Sequence, residues 1–173
     1  MVPATFELRF PLSEVDLWAA KYPVEDDTDA FDAGAKIRAG DFSVANLKRI
    51  VRWKSDRRIG LISENDPDDV ADALRLTLDA RRARSAFSVL MGLRGVAMPM
   101  ASAILTSIDQ NKYTVVDFRA QDALSIPEVY VDLNFYLLHY LPECVRLASK
   151  AGVSLRNFDR ALWSWSKLKG ANK

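Results

Sequence analysis

The chain has 173 residues, 49% hydrophobic and 27% charged, which suits one soluble globular domain with a sizeable core. Twenty-four basic against 23 acidic side chains leave a net charge of +1, so no bulk excess of charge points to a polyanion. A single cysteine, Cys144, and a single histidine, His139, exclude an internal disulfide, an iron–sulfur cluster and a histidine-based zinc site, so no metal and no cofactor is expected.

No apolar run approaches the roughly 20 residues that span a bilayer. Met1 to Phe10 lacks the basic-then-apolar order of a secretion signal, so a cytoplasmic protein with no membrane partner is expected. Charge is segregated along the chain: acids crowd Glu25 to Asp32 and Glu64 to Asp72, bases Lys48 to Arg58 and Arg81 to Arg84.

Helical periodicity dominates. A short helix is expected to start at Thr28 or Asp29 and end near Gly40. The next runs from Ser43 through Lys54 with Val44, Leu47, Ile50 and Val51 facing inward. Asp66-Pro67-Asp68-Asp69 then opens a helix whose stripe is Val70, Ala73, Leu74, Thr77 and Leu78; the Asp caps, the Pro suits the first turn and the acids suit the positive end of the dipole. Arg81 to Leu93 carries Ala86, Phe87, Leu90 and Leu93. Pro99 starts a helix through Ile108, with Ala101, Ile104, Leu105 and Ile108 as its buried side.

Tyr113 to Val116 is brief and extended. Asp117 begins a helix to Leu124, which Ile126-Pro127-Glu128 ends. Tyr130 to Lys150 reads as one long helix or as two divided near Pro142. A last helix, capped by Ser154, carries Leu155, Phe158, Ala161, Leu162 and Trp165, while Trp163 lies off that stripe and is expected to pack on the N-terminal segment. No paired strand runs occur, so the expected fold class is all-α with seven to ten helices.

Two segments carry chemistry. Leu93-Arg94-Gly95-Val96-Ala97-Met98-Pro99 is a glycine turn between helices, in which Gly95 takes a backbone conformation costly for other residues and Val96 turns inward. The following helix start offers unpaired N–H groups to a phosphate, although plain helix–turn–helix connections look the same. Behind Val115-Val116 stands Asp117, either a helix cap or a carboxylate facing a cleft; the two roles are compatible.

This pairing resembles the helix-hairpin-helix DNA glycosylases. In that family a Leu-Pro-Gly-Val-Gly hairpin grips a DNA phosphate, and an Asp after two apolar residues serves the glycosidic bond. The resemblance implies an all-α fold of two packed helical subdomains with a cleft between them: a central one over about 43–125, with the hairpin at 92–101, and a second from 1–42 plus 126–173. Arg94, Gly95, Val96, Ala97 and Pro99 become the phosphate-binding hairpin, and Asp117 the catalytic residue that stabilises an oxocarbenium-like transition state or activates water.

Strand-nicking members carry a lysine where this chain has Pro99, so the implied activity is monofunctional: water attacks and an abasic site remains. The segments Trp53 to Arg58, Ala101 to Leu105 and Asp159 to Trp163 are similar to those of small bacterial helix-hairpin-helix proteins. They point away from the better-known repair enzymes and towards an unusual substrate, such as a modified base on invading DNA.

Lys48-Arg49-Ile50-Val51-Arg52-Trp53-Lys54-Ser55-Asp56-Arg57-Arg58 interleaves six bases with an aromatic. Such a run is a solvated helix face or a phosphate-and-base contact. On the second reading Trp53 lines a pocket for an extruded base, Lys54 or Arg57 holds nearby backbone, and Arg119 touches a phosphate or tunes Asp117. The expected partner is then double-stranded DNA, bound by a monomer. A non-catalytic DNA-binding module and a helical protein-interaction domain are the alternatives.

Overall fold

The computed structural model describes residues 6–127 and 131–170. Among these residues every regular element is helical and none is a strand, so the chain is all-α. Its contacts form two units: a central unit, Pro23–Gln110, and a terminal unit built from both ends, Met1–Tyr22 with Asn111–Lys173.

A single 3₁₀ turn, Leu12–Glu14, leads into α1 (Val15–Ala19) in the terminal unit. The central unit follows as α2 (Glu25–Arg38), α3 (Val44–Ser55), a 3₁₀ turn at Asp56–Arg58, α4 (Ile59–Ile62), α5 (Pro67–Asp79), α6 (Ala83–Met91) and α7 (Met98–Ile108). The chain then re-enters the terminal unit through α8 (Phe118–Ala123), α9 (Leu133–Phe135), a π turn at Tyr136–Tyr140, α10 (Leu141–Ala151) and α11 (Leu155–Gly170).

Most boundaries follow from local chemistry. Asp66 caps α5 by accepting from the Asp68 N–H at 2.8 Å, with Pro67 in the first turn. The Ser154 hydroxyl accepts from Asn157 N–H at 3.1 Å at the start of α11. The expected start of α2 at Thr28 or Asp29 moves back to Glu25, because Glu25, Asp26 and Asp27 favour the positive end of the helix dipole. Two short helices, α1 and α4, were not expected.

The central unit is organised around α7, on which α2, α3 and α6 pack. The sequence suggests one buried side for α7; in fact ten of its eleven residues are buried. A helix enclosed on every side must be apolar or small all round, and Ala101, Ser102, Ala103 and Ser107 meet that need. The three polar side chains bond within the helix: Ser102 Oγ donates to the Pro99 carbonyl, Thr106 Oγ1 to that of Ser102 and Ser107 Oγ to that of Ala103.

Helix α2 crosses α7 at Gly34, where a Cβ would lie 2.0 Å from the Ser107 carbonyl oxygen. The Arg38 guanidinium donates to the Ile108 carbonyl at the end of α7. These contacts place α2 in the central unit. This unit spans Pro23–Gln110, and the Asp117 region belongs to the terminal unit.

In the terminal unit α11 is the axis, packed by α1, α8 and α10. Tyr136, Tyr140, Phe158 and Leu162 are fully buried at its centre, with Cys144. Burial pushes the Cys144 thiol well above its ordinary pKa, which disfavours the thiolate.

Between Leu133 and Ala151 the helix runs on through Pro142 without a break. Pro142 supplies no N–H, and its ring crowds the carbonyl four residues back; a wider turn over Tyr136–Tyr140 accommodates both. The start expected at Tyr130 and the break expected at Glu128 lie outside the described residues.

Gly34→Ala should force α2 off α7. We expect a loss of at least about 3 kcal/mol, because backbone rather than a flexible side chain occupies the space. Thermal unfolding should show a melting temperature lower by roughly 6–12 °C or more; an unchanged melting curve would refute the crossing.

Candidate functional site

The hairpin between α6 and α7 is built as its sequence suggests. Gly95 has φ +85°, a left-handed value that residues with a side chain rarely adopt. A Cβ there would stand 3.0 Å from Leu61 Cβ and 3.3 Å from Ile62 N, so the turn lies directly on α4. Val96 is buried, and its N–H donates to the Leu93 carbonyl at 3.2 Å.

Ala97 is the exposed N-cap of α7 in extended conformation. The amides of Ala97, Met98 and Met100 open the helix without intrahelical acceptors, and Pro99, in the first turn, contributes none.

Asn65, a residue with no role assigned from the sequence, clasps the turn from just beyond the end of α4. Its side-chain amide donates to the Arg94 carbonyl at 3.0 Å, and its carbonyl accepts from Arg94 N–H at 2.8 Å. The Arg94 guanidinium extends to Glu64 at 2.9 Å, an exposed pair of small energetic weight. No pattern in the sequence marks this contact, because it joins residues 29 apart through the main chain of one residue.

Trp53 and Lys54 lie in the last turn of α3, both half-buried; Trp53 meets Phe31 of α2 edge-on at 5.7 Å. Arg57 is exposed on the 3₁₀ turn that leads into α4, and so into the helix on which Gly95 rests.

The basic run is less free than its composition suggests. Arg49 is bound to Asp29 at 2.7 Å and to Asp32 at 2.5 Å, tying α3 to α2. It holds both carboxyls below the usual range, and they raise its own pKa. Arg52, Arg57 and Arg58 are exposed and have no carboxylate partner among the described residues.

Asp117 and Arg119 belong to the terminal unit. Asp117 is half-buried and caps α8: its Oδ1 accepts from Arg119 N–H at 3.1 Å and from Ala120 N–H at 3.0 Å. The Arg119 guanidinium lies 4.8 Å from the Phe118 ring centre and 5.6 Å from that of Trp163. Trp163 packs edge-on against Tyr22 at 5.1 Å, as its position off the apolar stripe suggests.

The buried strand-like approach to Asp117 is held by two tyrosines from the π turn. The Tyr136 hydroxyl donates to the Thr114 carbonyl at 2.7 Å and accepts from Thr114 N–H at 3.3 Å, and the Tyr140 hydroxyl donates to the Val115 carbonyl at 2.8 Å. Desolvation keeps both phenols protonated far above their ordinary range, as a donating hydroxyl requires. The consecutive carbonyls of Thr114 and Val115 are thus fixed, one residue short of Asp117.

The structure therefore gathers the hairpin and the Arg57 turn in one unit, and Asp117 with Arg119 in the other. Among the described residues no group of three or more His, Cys, Asp or Glu side chains is placed to hold a metal ion. Comparison with protein-family models, with curated proteins and with solved structures finds no match.

Gly95→Ala should destabilise the chain by about 1–3 kcal/mol through φ strain and the Leu61 contact, read as an earlier midpoint in urea with unchanged slope. Tyr140→Phe should cost about 1–3 kcal/mol by orphaning the Val115 carbonyl. Asp117→Ala should cost about 1 kcal/mol as a lost cap, while Asp117→Asn, itself a good cap, should cost far less. Equal losses for the Ala and Asn variants would contradict the cap.

Proposed function

We propose that the chain is a monofunctional DNA glycosylase of the helix-hairpin-helix kind, hydrolysing the N-glycosidic bond of a damaged or modified base. The observation that carries this reading is the hairpin: an obligate glycine at φ +85°, a buried Val96, and a helix start whose free amides include the exposed Ala97. Such a turn holds a phosphate oxygen by backbone donors and helix dipole, positioning DNA without reading its sequence. Arg57 and Arg58, at the turn into the helix beneath Gly95, supply positive charge on the same unit.

Bond cleavage builds positive charge on the deoxyribose as the base departs, and a fixed carboxylate is the stabiliser such a transition state needs. Asp117 is fixed twice, by its own capping bonds and by the tyrosines that hold residues 114 and 115. Pro99 has no amine, so no Schiff base forms at that position; water attacks and the strand stays intact.

Trp53 is assigned to the extruded base with Lys54 or Arg57 on the backbone nearby, and Arg119 to a phosphate or to tuning Asp117. The family fold of two helical subdomains, a double-stranded DNA partner, a monomeric state and a cytoplasmic address belong to the same proposal. No described helix is long and apolar enough to cross a membrane.

The capping bonds of Asp117 also suit a second reading, a DNA-binding module in which Asp117 serves only as a cap. One experiment separates them. Duplexes carrying a panel of modified bases are incubated with the protein, then treated with alkali to reveal abasic sites. Strand breaks should appear only after alkali, and Asp117→Asn, which keeps the cap, should reduce them by about 10²-fold or more. Duplex binding without base release, or equal activity in the variant, would refute the catalytic assignment and leave the module.

A further inference from the structure

Asn65 stands between the end of α4 and the Asp66 cap of α5, and its own N–H donates to the Ile62 carbonyl at 3.2 Å. Its side-chain amide is fully used. The NH2 group donates to the Ile62 and Arg94 carbonyls, each at 3.0 Å, and the oxygen accepts from the Arg94 N–H at 2.8 Å. Turned over, the amide would set its oxygen against two carbonyls and its NH2 against an N–H, so one orientation alone satisfies the site.

Arg94 lies between α6 and α7, outside either helix. Among the described residues no main-chain group bonds to its N–H or its carbonyl, so Asn65 supplies what a helix or ladder would supply elsewhere. The acids on either side of Asn65 are engaged: Glu64 with the Arg94 guanidinium at 2.9 Å, and Asp66 with the Asp68 N–H.

The clasp acts on the turn through peptide geometry. The Arg94 carbonyl and the Gly95 N–H belong to one planar trans unit and point in opposite directions. Holding the carbonyl on Asn65 therefore aims the Gly95 N–H away from Asn65, and that N–H donates to no main-chain carbonyl among the described residues. The left-handed φ of Gly95 then carries the chain through buried Val96 to the exposed Ala97 that opens α7.

We propose that Asn65 is a positioning residue for phosphate: it sets the plane of the Arg94–Gly95 peptide, and with it the aim of the hairpin amides at a phosphate oxygen. It touches no phosphate itself. An alanine in its place gives the Arg94 main chain neither partner, and an aspartate gives it no donor. This inference rests on the reading of the hairpin as a phosphate site and adds the side chain that governs its grip.

The test uses the full chain and a labelled unmodified duplex of two helical turns, roughly 20 base pairs, followed by anisotropy over a range of salt concentrations. Asn65→Ala should weaken binding about tenfold or more. The salt slope should stay as in wild type, because an amide carries no net charge and displaces no counterion. Glu64→Gln, which leaves the clasp intact, should not weaken binding. A merely structural role for Asn65 would lower the melting temperature and leave the affinity of the folded protein alone. In amide NMR spectra the duplex should shift the Gly95 and Ala97 signals of wild type and not those of Asn65→Ala. Should that variant not fold, Asn65→Asp, of the same size and still accepting from the Arg94 N–H, is measured at high salt, where its added charge is screened; the same loss is expected. A wild-type chain that binds no duplex, or binds it with the Gly95 and Ala97 signals unmoved, would remove the hairpin reading and this inference together. Wild-type shifts at those amides, with undiminished affinity in the folded Asn65 variant, would overturn this inference alone.

Discussion

The close passage of α2 over α7 is the constraint from which the central unit follows. Where a side chain at residue 34 would meet the Ser107 carbonyl, only a hydrogen atom fits, and the two backbones touch. That proximity is what allows α7 to be enclosed by three helices instead of lying on a surface. Enclosure in turn dictates small residues along its length and hydroxyls that bond back to their own helix. A helix held this firmly has a fixed beginning, and the beginning is the hairpin turn. The Asn65 clasp and the glycine seat on α4 then fix the turn from outside.

The terminal unit uses a different device for the same end. Its α8 is a six-residue helix, too short to be stable alone, and the segment before it has no ladder of its own. Tyrosine hydroxyls reach that segment from a π turn, which proline 142 makes necessary. A backbone defect in one helix thus becomes the means of ordering a neighbouring loop. Asp117 inherits a defined position from tyrosines that hold the backbone of residues 114 and 115.

Long amphipathic stretches were legible in the sequence because one face had to be apolar: Val70 to Leu78 and Leu155 to Trp165 each marked a helix and its buried side. The hairpin was legible through Gly95, whose φ only glycine adopts easily. Other features left no local trace. Helix α7 looked one-sided because its apolar stripe comprised only Ala101, Ile104, Leu105 and Ile108, whereas Ser102 and Thr106 are buried too, their hydroxyls bonding within the helix. The terminal unit's share of residues 111–125 is set by Tyr136 and Tyr140, more than twenty positions later. Arg49 read as part of a basic face, yet two aspartates from the preceding helix hold it. Pairing between distant residues decides such matters, and periodicity does not record it.

Cys144 has a consequence of a practical kind. It is the one thiol in the sequence, it is fully enclosed beside the tyrosines, and its reactive thiolate is suppressed by burial. A sulfhydryl reagent added to the native protein therefore reacts only with molecules whose terminal unit has opened. The rate of that reaction, followed without any engineered label, reports the free energy of opening for the half of the molecule that holds Asp117.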